Sequence, residues 1–401
     1  MHIVILSLNY PPDLGGSATR AWNIARGLKL QGNKVTVVSG FPHYPGGNVP
    51  ESLRRMAFAR EDDGGITVIR TYVPPLASKG LLNRLILFTC FMFSSLFALV
   101  HVRRVDGVFA SNPQILSAFP SRVYGWLFSA PMILNVDDLW PESLFDLGML
   151  TDGLLGRLSA WVARIAYRAS DAITPISPSY VEPIVMKYGV PESKVKVIPG
   201  GVDVGLFENR EGEDQRSAFE VLYIGAFSKA YNFTQVLQAA NELGSIAEIR
   251  FQLRGQGEMA QTIKKEIQES HVQNVFVTET LVSRAEVASL MMEADVLLLP
   301  LNGTENVEKG ISSKLYEYQA AGRPIVCCSS GTPGRYIRES GSGLVVQPGD
   351  STGLAAAVLR LYNDPALASE LGRSGREYVS SHYSMTRVGE MVNNLFEKMR
   401  A

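Results

Sequence analysis

The chain alternates short apolar runs with amphipathic stretches. HIVILSL, KVTVVS, GVFAS, PMILNV, AITPI and KVKVIP read as buried strands. Helical patterns fall between them, at about residues 18–31, in a stretch ending near Ser129, from Leu154 through LSAWVARIAYRAS, and at about 178–188. A polar segment without periodicity, ENREGEDQRSA, then interrupts the pattern as a linker would. Beyond it the alternation resumes with EVLYIGAF, a helix over about 232–243, EIRFQLRG, VFVTET, a helix, VLLLPL, a helix from Ser313 to about Ala321, and RPIVCC. Strand and helix in steady alternation through both halves predict two Rossmann-like, doubly wound α/β domains facing a cleft.

One apolar run breaks the scheme. Residues 85–100 carry no charge and are flanked by Arg84 and by Arg103 and Arg104. As a helix they reach roughly 24 Å, short of a hydrocarbon core of about 30 Å. A crossing there would also split one sheet across a membrane. The expectation is a helix near 82–103 lying on the membrane interface, with a buried core helix as the alternative. The preceding loop, FPHYPGGNVPESLRRMAFAR, supplies Arg54, Arg55 and Arg60, so positive charge and an apolar face are close in sequence and could hold an anionic lipid surface or a lipid-diphosphate acceptor; the alternative is a solvated, irregular insertion. The amino-terminal run MHIVILSL lacks a basic leader and a cleavage site, and is read as a first strand.

Composition narrows the class. At 401 residues with 46% hydrophobic and 19% charged, the chain is globular and long enough for two cores. A net charge of -1 excludes a strongly basic nucleic-acid binder. Cys90, Cys327 and Cys328 offer no disulfide framework, and the adjacent pair sits inside an apolar strand, so a reducing cytoplasm is expected. The five histidines are scattered without metal spacing.

The richest chemistry lies in KGISSKLYEYQAAGRPIVCCSS, residues 309–330. Ser312 or Ser313 can cap a helix that Gly322 ends. A capped helix start attracts a phosphate through its free N–H groups and dipole, by about 0.3–1 kcal/mol when exposed. Glu317, one turn past Ser313, points to the same side and could accept two hydrogen bonds from a vicinal diol. Phosphate and diol about one ribose apart suggest a nucleotide. The alternative is a plain amphipathic helix with Glu317 on a solvated face.

Other candidates fall at strand ends. Gly15 and Gly16 follow the first strand, where the backbone can approach a ligand. Asp137 and Asp138 follow PMILNV, and could orient an acceptor hydroxyl or else cap a helix; Glu142 is a third carboxylate there. Lys229 follows EVLYIGAF and could neutralise a diphosphate as a point charge. Arg254, Gly255 and Gly257 end EIRFQLRGQG.

SKLYEYQAAGRPIV resembles the nucleotide-binding segment of retaining glycosyltransferases of family 4, with the GT-B fold. PPDLGG followed by WNIARGLKLQGNKVTVVSG resembles that family's opening segment, and VKVIPGGVDVGLF its interdomain boundary. The resemblance implies an amino-terminal acceptor-binding domain over 1–200, a linker over 201–218, a nucleotide-sugar domain over 219–385, and a final helix, 386–401, crossing back to the first domain. It implies that Glu317 binds the ribose, that the loop at Gly16 lies near the diphosphate, and that Arg254 and Gly255 precede the base pocket walled by residues 278–282. The family carries a first glutamate where this chain has Lys309, with Glu308 one position off. It also carries an Arg where this chain has Ala226, which leaves Lys229, Lys314 and Arg254 as the cations by motif. Asp137 stands where many members have a histidine.

The resulting expectation is a cytoplasmic retaining glycosyltransferase, peripheral on the inner face of the plasma membrane. It would move a sugar from a nucleoside diphosphate, UDP in particular, to a polyprenyl-diphosphate-linked saccharide. Neither a cofactor nor a metal ion is expected. The helix start at Ser312, Ser313, Lys314 and Leu315, with Lys229, would stabilise the departing diphosphate. A UDP-sugar 2-epimerase of the same architecture and a non-catalytic assembly subunit remain as alternatives. A dinucleotide dehydrogenase is disfavoured by the absence of GxGxxG in the first turn.

Overall fold

The computed structural model describes residues 1–400 except 45, 78–79, 113, 147, 149, 209–217 and 281, so half of the linker expected over 201–218 lies outside the described residues. It divides into two compact units, Met1–Gly201 with Met385–Ala401, and Val202–Ser384.

The first unit begins with β1 (His2–Ser7), α1 (Gly16–Leu30), β2 (Lys34–Gly40), β3 (Phe58–Asp63), β4 (Ile66–Thr71) and α2 (Gly80–Phe97). It continues with β5 (Gly107–Asn112), α3 (Ala118–Phe128), β6 (Met132–Val136), α4 (Glu142–Asp146), α5 (Leu154–Ala169), β7 (Ala172–Pro175) and α6 (Val181–Met186). The seven strands lie in the order β3-β4-β2-β1-β5-β6-β7. All pairings are parallel but β3 with β4, which run antiparallel from Phe58↔Thr71 to Asp63↔Ile66. The stretch expected to be a loop thus ends in an edge hairpin. Its alternation was obscured because β3, FAREDD, is an exposed edge strand with little apolar patterning. KVKVIP, expected as a strand, makes only one bridge, Ile173↔Val195, at the outer edge of β7.

Period-two alternation sorts the core. Ile3 and Ile5 face α1, while Val4 and Leu6 face the layer that holds α3 and α5. The helix over the apolar run begins at Gly80, earlier than the run itself, and continues as a 3₁₀ turn to His101. Leu87 and Phe91 of α2 are fully buried against Leu8, Phe41 and Val73, whereas Leu82, Phe93, Phe97 and Val100 are exposed. Over its most apolar window only 28% of that helix is buried. It is therefore half embedded in the fold rather than a core helix.

The second unit runs β8 (Phe219–Ile224), α7 (Phe233–Glu242), β9 (Ile249–Arg254), α8 (Ala260–Ser270), β10 (Val275–Thr278), α9 (Arg284–Glu293) and β11 (Val296–Pro300). Then follow α10 (Glu305–Lys309), α11 (Ser313–Ala320), β12 (Ile325–Cys328), α12 (Thr332–Glu339), β13 (Gly343–Val346), α13 (Ser351–Asn363) and α14 (Pro365–Tyr383). Its six strands are parallel, in the order β10-β9-β8-β11-β12-β13. Cys327 and Cys328 are buried in β12, where desolvation pushes both thiols up, that of Cys328 to about 12.

The last helix, α15 (Met385–Arg400), belongs to the first unit and packs on α1. Two glycines let the backbones meet: a Cβ on Gly27 would stand 2.4 Å from the Met385 carbonyl oxygen, and one on Gly389 would stand 2.2 Å from the Gly27 carbonyl carbon. Val388, Val392 and Phe396 then complete the core over Ile3, Ile5 and Phe109.

Candidate functional sites in the two units

In the second sheet the strand order reverses between β8 and β11, and ligands of open parallel sheets bind outside the carboxyl ends at such a point. The loop after β8 is stitched to the end of β11. The Asn232 N–H donates to the Pro300 carbonyl (2.8 Å), the Asn302 N–H to the Ala230 carbonyl (3.0 Å), and the Asn302 side chain to the Lys229 carbonyl (2.5 Å). Two glycines of the β9 loop press against the same turn. A Cβ on Gly255 would lie 1.7 Å from the Gly225 oxygen, and one on Gly257 would lie 2.2 Å from the Phe227 oxygen. Gly225 in turn lies under the aliphatic stem of Lys314.

At α11, Ser312 is the cap, and its hydroxyl accepts from the Lys314 N–H (3.4 Å). Leu315 is buried and its N–H donates to the Ser312 carbonyl (3.0 Å). Gly322, at φ +68°, closes the helix. Lys314 folds back over the end of β8, where its ammonium donates to the Tyr231 hydroxyl (2.9 Å) and sits 4.9 Å from that ring's centroid and 5.8 Å from that of Tyr223. Lys229, by contrast, is exposed, and among the described residues only its carbonyl is hydrogen-bonded. Lys314 is thus the cation held in place at the strand end.

Glu317 is half-buried beside Lys314, and no side chain among the described residues hydrogen-bonds to its carboxylate. Burial pushes its carboxyl above the usual range, while Arg284 and Lys314 pull it back down. Arg254 is half-buried at the end of β9. Leu281, in the loop expected to wall a base, lies outside the described residues.

Glu308 has a different task. One or other of its carboxylate oxygens accepts from the Ser329 hydroxyl (2.5 Å) and from the N–H groups of Gly331 (2.6 Å) and Ser330 (3.1 Å), holding the turn into α12. Lys309 pairs with Glu305 (2.5 Å) on the exposed side of α10.

In the first unit, β1, β5 and β6 are neighbours, and their carboxyl ends gather the other candidates. Gly15, at φ +106°, packs against the Tyr44 ring, and Gly16 opens α1. Asp13 fixes this loop by accepting the N–H groups of His43 (2.8 Å) and Tyr44 (2.9 Å). Arg70 of β4, fully buried, donates to the carbonyls of Tyr10 and Pro11 from below.

Asp137 caps no helix. Its carboxylate pairs with Arg20 of α1 (2.7 Å) and accepts from the Asn135 amide (2.9 Å), while Arg20 also donates to Asn135 and to the Ile198 carbonyl (2.8 Å). Burial pushes the Asp137 carboxyl up to about 7, against the pull of Arg20. Asp138 opens to solvent in the field of Arg84. Glu142 is tied down by Lys187 (2.6 Å) and the Tyr188 hydroxyl (2.6 Å).

Around Asp137 the strand ends carry buried polar atoms without hydrogen-bond partners among the described residues: Asn9 Oδ1, Ser111 Oγ, Gln114 Oε1 and Asp137 Oδ2. Such atoms are uncommon in a folded interior and suit a ligand rich in hydroxyls. Sequence reasoning missed Arg20, Asn135 and Gln114. The signal for Arg20 was a charged residue in register with Ala21, Ile24 and Leu28 on the buried side of α1.

Residues 15–201 match the family described as "Glycosyl transferase 4-like domain", and residues 208–378 match "Glycosyl transferases group 1". A relative named putative colanic acid biosynthesis glycosyl transferase WcaI, from Escherichia coli K12, is 27% identical over 292 residues, 69% of this chain and 70% of its own. Sucrose-phosphate synthase from Thermosynechococcus elongatus superposes with a TM-score of 0.74 at 17% identity, over 100% of this chain and 99% of that one. HepE from Anabaena, solved with UDP and glucose, does so at 0.71 and 14% identity, over 99% and 100%. This chain belongs to glycosyltransferase family 4 and has the GT-B fold.

Proposed function

We propose that this glycosyltransferase takes a sugar from UDP and passes it, with retention, to a lipid-linked saccharide during assembly of a cell-surface polysaccharide. The observation that carries the donor side is the pairing on α11: Lys314 held over the end of β8, with Glu317 one turn farther along the same helix and unengaged by any side chain among the described residues. The ammonium and the Ser313 end of the helix offset charge on the diphosphate as it leaves, and Lys229 adds a screened, exposed charge. Glu317 accepts the two ribose hydroxyls. Arg254 and Gly255 flank the base. The name of the relative from colanic acid biosynthesis and the UDP in the HepE structure agree with this donor and setting.

On the acceptor side, the atoms of Asn9, Ser111, Gln114 and Asp137 that lack hydrogen-bond partners among the described residues support a saccharide at the strand ends of the first unit, beside the Gly15–Gly16 turn. Asp137 orients the attacking hydroxyl. In the step itself the anomeric carbon's bond to the diphosphate oxygen breaks, and its bond to the acceptor oxygen forms on the same face. The acceptor's proton passes to the departing phosphate, so no protein nucleophile enters. Neither a cofactor nor a metal ion takes part in this reading.

The half-embedded helix α2 supports work at the inner face of the plasma membrane. Its exposed line of Leu82, Phe93, Phe97 and Val100 lies next to exposed Arg103 and Arg104, and the Phe58 ring, at 4.3 Å from that of His101, brings the Arg54–Arg60 segment alongside. The test is incubation with radiolabelled UDP-sugars and a polyprenyl-diphosphate saccharide, with and without EDTA. Label in the lipid phase under both conditions is expected. An epimerised nucleotide, or no product with any donor, overturns the proposal.

A further inference from the structure

The apolar surface of α2 does not end with that helix. α3 packs on α2 and α5 packs on α3, all on the same side of the first sheet, and the Tyr124 hydroxyl ties α3 to the Ser95 carbonyl of α2 (2.9 Å). On α3, Val123, Trp126 and Leu127 are exposed; on α5, Leu154, Leu158 and Trp161 are exposed. The two tryptophans stand out, at 76% and 59% exposed, since soluble surfaces seldom leave so large an apolar ring open.

The order along α5 is informative. At about 100° per residue, Leu154, Leu158 and Trp161 share one line, and Arg157, Arg164 and Arg168 run down a single flank of it. Arg164 and Arg168 are anchored through the carbonyls of Lys187 (3.2 Å) and Tyr188 (3.0 Å). Arg157 and Lys187 also line a cavity of about 420 Å³ beside the stripe, with Phe145 and Ala160. An apolar line carrying an indole ring beside a row of guanidinium groups, two of them anchored, matches the layering of a bilayer interface, acyl chains beside phosphates. A second copy of the chain would set one arginine row against another.

We infer that α3 and α5 form a second membrane-docking face, with Trp126 and Trp161 as anchors and the α5 arginines on the phosphates of anionic phospholipid. The inference rests on the membrane setting proposed above for α2 and extends it across three helices. The first unit would then lie on the bilayer along a broad face rather than touch it at one edge.

The chain has four tryptophans, of which Trp140 is buried and Trp22 lies on α1, on the opposite side of the sheet. Emission quenching by vesicles of brominated phosphatidylglycerol and phosphatidylethanolamine therefore reads Trp126 and Trp161. Expected are strong quenching for the wild type, its loss in W126F/W161F, and a several-fold drop in sedimented protein for L158D/W161A, with binding weakened by salt. Restoring one indole on α2, as F93W in the W126F/W161F background, tests that helix separately. Bound protein quenched only through F93W overturns this inference and leaves the α2 reading standing. Quenching of the wild type without quenching of F93W does the reverse. No vesicle binding, or tryptophans already shielded from iodide in a dimer before lipid is added, overturns the second face.

Discussion

Arg20 of α1 and Asp137 at the end of β6 form an ion pair of 2.7 Å with Arg20 almost wholly buried, and Asn135 is hydrogen-bonded to both. Two charges taken out of water together stabilise a fold only weakly, so such a pair is more easily explained by what it holds in position. Here it fixes one carboxylate oxygen and leaves the other, Oδ2, without a hydrogen-bond partner among the described residues.

That geometry makes a pH prediction. With its carboxyl near 7, Asp137 gains its full charge only above neutrality, so if it orients the acceptor as proposed, kcat/KM should rise through about pH 7 as the carboxylate forms. Asp137→Asn should flatten this limb and lower kcat/KM on the order of 10- to 100-fold, the worth of one charged hydrogen bond. An unchanged pH profile in the variant would remove Asp137 from the reaction.

Glu317 should trade stability for binding. Its folded carboxyl titrates above the ordinary value, so the proton it holds favours the folded state at low pH, and that contribution is lost as pH rises through the folded value. Glu317→Gln has no such loss. Its Tm should match or exceed that of the wild type at pH 8, with the difference shrinking in acid, while UDP affinity by calorimetry falls by about tenfold or more. Full UDP affinity would reject the ribose role.

Gly255→Ala should damage the second unit through the backbone. Its Cβ would meet the Gly225 oxygen at 1.7 Å, and neither loop can yield without moving the turn that seats Lys314. A loss of about 1–3 kcal/mol in urea unfolding is expected, together with weakened UDP binding. A variant with wild-type unfolding would show that the two loops can part.

Gly27→Val tests the return of the last helix. The added side chain collides with the Met385 carbonyl, so α15 should lift from α1. Limited proteolysis should then cleave before Met385, and Tm should fall by several degrees, since Val388, Val392 and Phe396 leave the core.

Glu308 illustrates how far a motif reaches. The sequence puts Lys309 where the resembling family has its first glutamate, with Glu308 one position off, and leaves open which of the two takes that place. In the structure its carboxylate is spent on Ser329, Ser330 and Gly331. A one-residue offset on a helix turns a side chain by about 100°, and spacing by itself does not reveal which partner it then finds.

Local patterning determined the two alternating α/β halves, a serine cap at 312 or 313, the Gly322 stop, the buried cysteine pair and a helix over the apolar run 85–100, because each depends on near neighbours in the chain and on burial periodicity. Tertiary structure decided the rest. Arg20 reaches Asp137 across more than a hundred residues, Lys314 rather than Lys229 settles over β8, β3 closes an edge with little apolar signal, and α15 finds α1 through two glycines. Contacts of that kind join segments whose separation along the chain carries no periodic trace, so only the folded backbone brings the partners within reach.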